Sequence, residues 1–258
     1  MKPVVVNLGP DIEEAQVLWL ADVHRGHENF NQTAWDRLRS WVLEEENRYI
    51  MLGGDLMESA TKGSKGDPYL SNFPQKELET LYEELKPLRD RIWCMIGGNH
   101  EERIWRESGI DPLALLAMNL EVPYSRGGTF VIVRLGKAPG ESQRKRWKPV
   151  VYTLYLTHGW SGGRRVGSKS NALEDLSLGV YADVYLLGHT HIPMGFKQDR
   201  VGVDLRNQTI YNKTVTFVNA GSLQKWGGYA QRKGYTPGTN DMPVVLLSGC
   251  RHDVRVVI

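Results

Sequence analysis

The residues of this chain best suited to chemistry are histidines and carboxylates that follow short apolar segments. Leu186-Leu187-Gly188-His189-Thr190-His191 is the clearest case, because an apolar run stops at a glycine and then presents two imidazoles one residue apart. Residues i and i+2 of an extended segment point the same way, so both rings can face one small volume. Imidazole is the commonest nitrogen ligand of metals at neutral pH. Taken alone, the segment indicates either a metal site or a strand end with two solvent-facing histidines.

Four further apolar segments end in the same way. Val17–Leu20, Tyr49–Leu52, Ile92–Ile96 and Val150–Leu156 each lead into a short turn that carries Asp, Asn or His. In open α/β sheets, ligands bind outside the carboxyl ends of the strands, so these turns can converge on one site. Any one of these residues has an ordinary explanation, such as a helix cap or a turn, but five coincidences together favour metal binding. The turns present Asp22, His24, Asp55, Asn99, His100, His158, His189 and His191.

The elements that must position these turns alternate along the chain. A helix is expected from about Thr33, which is a suitable N-cap, a second from Pro74, and a third after the cap-then-proline pair Asp111-Pro112. Additional strands are expected at 130–135, 215–218, 244–247 and 254–258. The alternation predicts an α/β protein. No internal repeat or interdomain linker interrupts it, so we expect a single domain over residues 1–258.

Length and composition are those of an ordinary globular protein. The chain has 258 residues, of which 41% are hydrophobic and 24% charged, enough for one large domain with a full core. No stretch reads as a signal peptide or is long enough to span a membrane. The two cysteines, Cys94 and Cys250, show neither metal-binding nor disulfide spacing. Cys94 is expected to be a small buried thiol, and a cytoplasmic location follows.

Charge is distributed unevenly along the chain. Residues 126–170 contain ten Lys/Arg and one acid, Glu141, which gives this segment a net charge of +9 within a chain of net charge +2. Such asymmetry is informative about partners rather than about fold. Arg144-Lys145-Arg146-Trp147-Lys148 is typical of a strip that follows a nucleic-acid backbone and stacks a base, or of a solvated hairpin tip. Arg164 and Arg165, shortly after His158, suit phosphate oxygens.

Five motifs, taken together, resemble a known family. Asp22-x-His24, Gly54-Asp55-x-x-Glu58, Gly98-Asn99-His100-Glu101, His158-Gly159 and Gly188-His189-Thr190-His191 resemble, in order, the motif series of the calcineurin-like metallophosphoesterases. Asn219-Ala220-Gly221-Ser222 is similar to that family's Asn-Pro-Gly-Ser turn, with alanine in place of proline. The resemblance covers about residues 17–226. It implies an α/β fold, a four-layer αββα sandwich of two mixed sheets flanked by helices.

The resemblance also implies a centre of two divalent transition-metal ions. One ion is expected at Asp22, His24, Asp55 and His191, and the other at Asp55, Asn99, His158 and His189, so that Asp55 bridges them. Manganese is favoured, and iron, zinc, nickel or cobalt would also suit nitrogen and oxygen ligands. A water shared by the ions would lose a proton and attack phosphorus as a metal-bridged hydroxide.

The expected catalytic residues are Asp55 and His100, with His100 contacting a phosphoryl oxygen or protonating the leaving group. Glu58 and Glu101 are expected to support the ligands rather than bind metal. The substrate-binding candidates are His27, Arg164 and Arg165; His27 has an equally good explanation as a loop residue.

The predicted function is therefore hydrolysis of a phosphoester. A phosphodiesterase acting on a nucleotide or nucleic acid is favoured, with nucleic acid reached through segment 126–170 and no membrane partner. A phosphomonoesterase of a small phosphorylated metabolite or protein is the first alternative, because the same pair of metals serves both reactions. A non-catalytic metal-binding scaffold is the alternative from another class, but such relatives lose ligands, and none of the motif residues is missing here.

Overall fold

The computed structural model describes residues 2–62, 64, 73–138, 147–160, 163, 165–232, 234 and 237–258. Within these residues the chain forms two six-stranded mixed β-sheets with helices on their outer faces, as the predicted αββα sandwich requires. The strands in chain order are β1 (Val4–Gly9), β2 (Glu14–Leu20), β3 (Arg48–Leu52), β4 (Ile92–Ile96), β5 (Tyr124–Ser125), β6 (Thr129–Leu135), β7 (Val150–Thr157), β8 (Val184–Leu187), β9 (Met194–Asp204), β10 (Thr209–Asn219), β11 (Val244–Ser248) and β12 (Val254–Val257).

The helices cover the sheets from outside. They are α1 (Gln32–Glu44), α2 (Pro74–Leu85), α3 (Glu101–Ser108), α4 (Pro112–Leu120), α5 (Val166–Gly179) and α6 (Gly228–Arg232), with a 3-10 helix at Lys86–Arg91 after α2. The predicted starts at Pro74 and Pro112 are confirmed, and Asp111 caps α4 by accepting a hydrogen bond from the Ala114 N–H. The expected cap at Thr33 is wrong: Asn31 accepts from the Ala34 N–H and so begins α1. Every described helix is too short or too polar to cross a bilayer.

Strand order explains why distant turns meet. The first sheet has the order β1-β6-β7-β8-β10-β9 and the second β12-β11-β2-β3-β4-β5. In the first sheet β7, β8 and β10 are parallel, and in the second β2, β3 and β4 are parallel. Each parallel set brings its carboxyl ends to one edge of its sheet. The Trp19 indole N–H donates to the Leu187 carbonyl oxygen at 2.9 Å, which joins these two edges across the core.

Two apolar clusters hold the layers together. The larger lies between the sheets and under α1, α2 and α4, and includes the fully buried side chains of Trp19, Trp35 and Leu52. The smaller lies between the first sheet and α5, where Tyr185, Phe196 and Phe217 stack. Cys94 is a buried free thiol, as predicted.

Candidate metal centre

The seven predicted ligands lie together where the carboxyl ends of the two parallel strand sets meet. Six of them form two groups of three, and the ligand atoms within each group lie within 4.8 Å of one another. The first group is Asp22, His24 and His191, and the second is Asp55, His158 and His189. Turns from both sheets contribute to the site, so it exists only when the sandwich is assembled.

In the first group, three possible ligand atoms face one point. His191 Nε2 lies 3.1 Å from Asp22 Oδ1 and 3.2 Å from His24 Nε2. Asp22 Oδ1 is buried and accepts no hydrogen bond from the described residues. A buried carboxylate oxygen in this position costs free energy unless a cation or a proton faces it. The donor set therefore fits a divalent cation with nitrogen and oxygen ligands.

Asn99, the fourth ligand predicted for this ion, lies beside the second group. The Asn99 amide oxygen lies 2.6 Å from His189 Nδ1 and 3.1 Å from His158 Nε2. His158 Nε2 is also 3.1 Å from Asp55 Oδ2. Two imidazole nitrogens, an amide oxygen and a carboxylate oxygen thus converge, which again suits a divalent cation. The bridge from Asp55 to the first group stays a prediction.

The backbone of the ligand turns is strained. The left-handed region is uncommon for residues other than glycine, and non-glycine residues held there cluster at functional sites. Each such residue costs on the order of 1 kcal/mol, which the surrounding packing must offset. Five of the seven predicted ligands adopt it: Asp22 (φ 54°), His24 (φ 52°), Asp55 (φ 49°), His189 (φ 67°) and His191 (φ 59°).

Hydrogen bonds behind the ligands orient the imidazoles. His158 Nδ1 lies 2.8 Å from the Gly53 carbonyl oxygen, and His24 Nδ1 lies 3.1 Å from Glu58 Oε2. An Nδ1–H that donates to an oxygen leaves Nε2 with its lone pair directed into the site. Burial raises the pKa of Glu58 to about 8. Glu58 lies directly behind His24, and its supporting role stays a prediction.

Glu101 ties two of the turns together. It is buried, and its carboxylate accepts hydrogen bonds from the Asp55 N–H at 3.1 Å, the Met57 N–H at 2.9 Å and the Gly98 N–H at 3.2 Å. These contacts join the turn after β3 to the turn after β4. Glu101 is not in either ligand group, which agrees with a supporting role.

The Asn219–Ser222 turn at the end of β10 joins the first and last motifs. The Asn219 amide donates to Thr190 Oγ1 and to the Ile192 carbonyl oxygen, each at 2.6 Å. The Ser222 hydroxyl donates to the Asp22 carbonyl oxygen at 3.0 Å. A Cβ on Gly221 would lie 2.3 Å from the Asp241 carbonyl oxygen, so only glycine fits there.

The charges of the site depend strongly on one another. Burial opposes ionisation of Asp55, but the His158 and His100 imidazoles hold its pKa well below the usual value. Burial likewise opposes protonation of His158, yet Asp55 raises the pKa of that imidazole to about 10. Burial and the neighbouring His100 and His191 lower the pKa of His24. A divalent cation bound beside Asp55 and His158 would favour the deprotonated imidazole, because only that form offers a lone pair to the metal.

His100 lies beside the ligands at the start of α3. Its Nε2 is 3.8 Å from Asp55 Oδ2, and its Nδ1 is 2.8 Å from the Glu58 carbonyl oxygen. One helical turn later, Arg103 donates to the same carbonyl oxygen at 3.3 Å. Arg103 was missed from sequence; its i+3 spacing from His100 was the available signal, but α3 itself had not been predicted.

Lys169 is a second residue that the sequence did not single out. It lies on α5, is buried, and donates from Nζ to the carbonyl oxygen of Thr190, between His189 and His191. It was counted among the basic residues of 126–170, but only the packing of α5 against the end of β8 brings it to the ligand turn.

The structure places the predicted substrate residues less uniformly. His27 is half-buried; its Nδ1 accepts from the Asn29 N–H at 3.0 Å, and burial lowers its pKa. Arg165 is exposed at the N-cap of α5. Arg164 and the cluster residues Arg144, Lys145 and Arg146 lie outside the described residues. All seven predicted metal ligands lie among the described residues.

Comparison with known proteins gives one strong match and several weak ones. The structure is similar to a predicted phosphoesterase from Streptococcus pneumoniae (11% identity, 95% of this chain and 98% of that one, TM-score 0.35). It is also similar to a metallophosphoesterase from Sphaerobacter thermophilus (14%, 90% and 83%, 0.40) and to zinc-complexed Vps29 from Entamoeba histolytica (14%, 94% and 97%, 0.37). Curated proteins yield no match. The family model of calcineurin-like phosphoesterases matches residues 15–193, a range that contains all seven predicted ligands.

Proposed function

The chain belongs to the calcineurin-like phosphoesterase family, and on this basis we propose that it hydrolyses phosphoesters at the cluster described above. The observation that carries the proposal is the pair of ligand groups: Asp22, His24 and His191 around the buried Asp22 Oδ1, and Asp55, His158 and His189 with the Asn99 amide oxygen beside them. Asp22, His24, Asp55 and His191 would hold one divalent ion, and Asp55, Asn99, His158 and His189 the other. Manganese is the favoured metal. When bound, such a pair of ions activates water and stabilises charge on the phosphoryl oxygens.

The protein's own contribution is orientation and proton handling. The bond from His100 Nδ1 to the Glu58 carbonyl oxygen turns His100 Nε2 toward the Asp55 side of the site. Burial lowers the pKa of His100 to about 4, so the imidazole alone is neutral at pH 7. A phosphoryl oxygen beside Nε2 would favour the protonated ring, which could then bind that oxygen or protonate the leaving group.

Charge around the site supports an extended, anionic substrate. Arg103 lies next to His100, and Arg165 is exposed at the start of the helix that carries Lys169. The segment 126–170 has a net charge of +9. These residues favour a phosphodiester of a nucleotide or nucleic acid, whose non-reacting phosphates they would contact. A small phosphomonoester remains the second candidate, and a cytoplasmic location stays a prediction.

The test compares an aryl phosphodiester with an aryl phosphomonoester, using protein whose metal content has been measured and Asp55→Asn as control. We expect metal-dependent hydrolysis, faster for the diester, that is lost in Asp55→Asn. Preference for the monoester would establish the second candidate. Two bound metals without turnover of either ester would identify a scaffold instead.

The nucleic-acid part of the proposal has a separate test. Affinity for an oligonucleotide should fall steeply with salt, because phosphate contacts release counterions. Arg165→Ala should raise KM for the oligonucleotide and leave KM for the small aryl diester unchanged. Salt-independent binding would contradict a nucleic-acid substrate while leaving phosphoester hydrolysis intact.

A further inference from the structure

The hairpin formed by β9 and β10 presents an apolar face that is exposed in the described part of the chain. Val201 and Val203 lie on one face of β9, together with Ile210 of β10, which pairs directly with Val203. Leu205 follows in the turn directly after β9. These four side chains are 71%, 61%, 74% and 87% exposed, respectively. Four large exposed apolar side chains on one hairpin form a patch of the kind that marks an interaction site.

The backbone next to this patch is also open. β9 is the last strand of the first sheet, so in the described part of the chain only β10 pairs with it. Near the start of β9, Gly195 packs against Val256 of β12, and Lys197 Nζ lies 3.9 Å from Asp253 Oδ1. Beyond Lys197 the second sheet no longer covers the strand. A long open edge with apolar side chains is a template for pairing with another strand.

We propose that β9 pairs with β9 of a second copy of this chain, antiparallel and about a two-fold axis at Gly202. The two six-stranded sheets then form one continuous sheet. Arg200 of each copy lies opposite Asp204 of the other, and Val201 of each lies opposite Val203 of the other. Two-fold symmetry makes every contact twice, so one sequence supplies both sides.

The sequence of the strand selects this register. A two-fold axis perpendicular to the sheet leaves each strand face on its own side of the sheet, so the axis must pass beside one residue that pairs with its own copy. Choosing the next residue along the strand shifts the partner strand by two positions. An axis at Val201 puts Arg200 opposite Gly202 and leaves both charges unpaired. An axis at Val203 puts Arg200 opposite Arg206, a pairing of like charges that is unfavourable. Only the axis at Gly202 matches both the charges and the valines.

The charged residues are already held on the correct face. Arg200 Nη1 donates to the Ser177 carbonyl oxygen of α5 at 3.2 Å, so its guanidinium lies on the side opposite the valines and keeps further donors. Asp204 Oδ1 accepts from the Arg206 N–H at 3.0 Å and the Asn207 N–H at 3.1 Å. The two paired backbone edges and the facing pairs of Val201 and Val203 contribute to the roughly 1,200 Å² of total buried surface that a specific interface needs.

Sedimentation equilibrium of the full chain over a wide concentration range tests the proposal, with Val203→Lys, Arg200→Glu and Arg200→Glu/Asp204→Lys as variants. Met118→Lys is the matched control, because Met118 is 66% exposed on α4, outside the second sheet. The changed residues pair with the first half of β10, roughly 20–35 Å along the strand from its carboxyl end at the candidate metal centre. Circular dichroism and metal content check that each variant is folded.

We expect a dimer for the wild type and for Met118→Lys, and a monomer for Val203→Lys. Arg200→Glu should weaken the dimer at least tenfold, and the double charge reversal should recover most of that loss. A wild type that is monomeric at every concentration overturns the proposal. A dimer that survives Val203→Lys overturns it too, and a double reversal no tighter than Arg200→Glu overturns the axis at Gly202. None of these outcomes depends on catalytic activity.

Discussion

Asp22 and Asp183 are buried aspartates at opposite ends of the sandwich, and their surroundings differ. Asp183 precedes β8, and its Oδ2 accepts from the N–H and the hydroxyl of Thr153, each at 2.7 Å. Its Oδ1 lies 2.8 Å from Lys213 Nζ and 3.6 Å from His252 Nε2. Asp22, after β2, has the imidazoles of His191 and His24 beside its Oδ1, at 3.1 and 4.0 Å. His252 thus lies beside Asp183, away from the candidate metal centre.

The comparison indicates that the Asp183 carboxylate stabilises the fold, whereas the Asp22 carboxylate is placed to bind a ligand. At the Asp183 end the chain itself supplies a lysine ammonium beside the buried Oδ1 and hydrogen-bond donors to Oδ2. At the Asp22 end the chain places anions and lone pairs together on strained backbone, which folding alone would not favour. Such an arrangement is stable only because the rest of the sandwich holds it, and a divalent cation would relieve it.

The largest expected effect, on metal affinity and activity, comes from neutralising Asp22 at the candidate metal centre. In Asp22→Asn, metal affinity should fall by about 100-fold or more, and kcat/KM by about 1,000-fold, or about 4 kcal/mol. The unfolding free energy of metal-free protein should be unchanged or higher, because an unsatisfied buried charge is removed. Calorimetric metal titration and thermal unfolding in chelator measure both. A destabilised metal-free variant would show that Asp22 is structural after all.

Removing His100 should separate turnover from metal binding. His100 is in neither ligand group with Asp22 or Asp55, so His100→Asn should keep both metals while kcat falls by about 100-fold. Steady-state kinetics and metal analysis of the same sample provide the measurement. Parallel loss of metal would mean that His100 acts by holding the site together.

Neutralising Asp183 should change stability and leave activity unchanged, the opposite of the change expected at Asp22. Asp183→Asn should lower the free energy of unfolding by roughly 1–3 kcal/mol, since Thr153 and Lys213 lose a charged acceptor. Metal content and kcat of the folded protein should match the wild type. Denaturant unfolding and the kinetic assay check this, and a change in kcat without a change in stability would contradict it.

The stability difference between the wild type and Asp183→Asn should depend on pH. Burial opposes ionisation of Asp183, but His252, Lys213 and Thr153 together lower its pKa below the usual value. The stability it contributes is therefore complete above the unfolded-state pKa, about 3.9, and is lost as pH falls toward the lower folded-state pKa. The stability difference between wild type and Asp183→Asn should accordingly shrink below about pH 4. A constant difference through that range would exclude the carboxylate as its source.

The smallest effect is expected from Lys169. Lys169→Met removes the donor to the Thr190 carbonyl oxygen between His189 and His191. Loosening this turn should weaken metal binding by about tenfold, as for other residues that support ligands. Lys169→Arg keeps a donor and should recover part of the loss. Equal metal affinity in the wild type and both variants would contradict the prediction and show that Lys169 of α5 does not support the candidate metal centre.

Much of the ligand end could be predicted because its signals are local. Each ligand follows an apolar strand directly, as at Leu20, Leu52 and Leu187, and the confirmed strands β4 and β8 have the predicted bounds Ile92–Ile96 and Val184–Leu187. A short apolar run followed by a polar turn needs no knowledge of its neighbours. The ligand turns and their order were therefore available before the structure.

Other elements have weaker local signals. Residues 197–214 of β9 and β10 are mostly polar, and the alternation of Val201, Val203 and Leu205 is short, so the sequence predicts no strand there. Glycines and serines interrupt the apolar pattern of α5, which the sequence does not predict either. The chain continues as strand there because β10 pairs with β9 along its whole length.

By itself, then, the sequence determined which side chains follow which strands, since that depends on residues adjacent in the chain. Only the tertiary structure decided that the two sheet edges meet, that Arg103 and Lys169 reach the site, and that β9 is left open. Those outcomes depend on packing between residues far apart in sequence, such as Trp19 against Leu187. The free energy of such contacts cannot be inferred from a local sequence pattern.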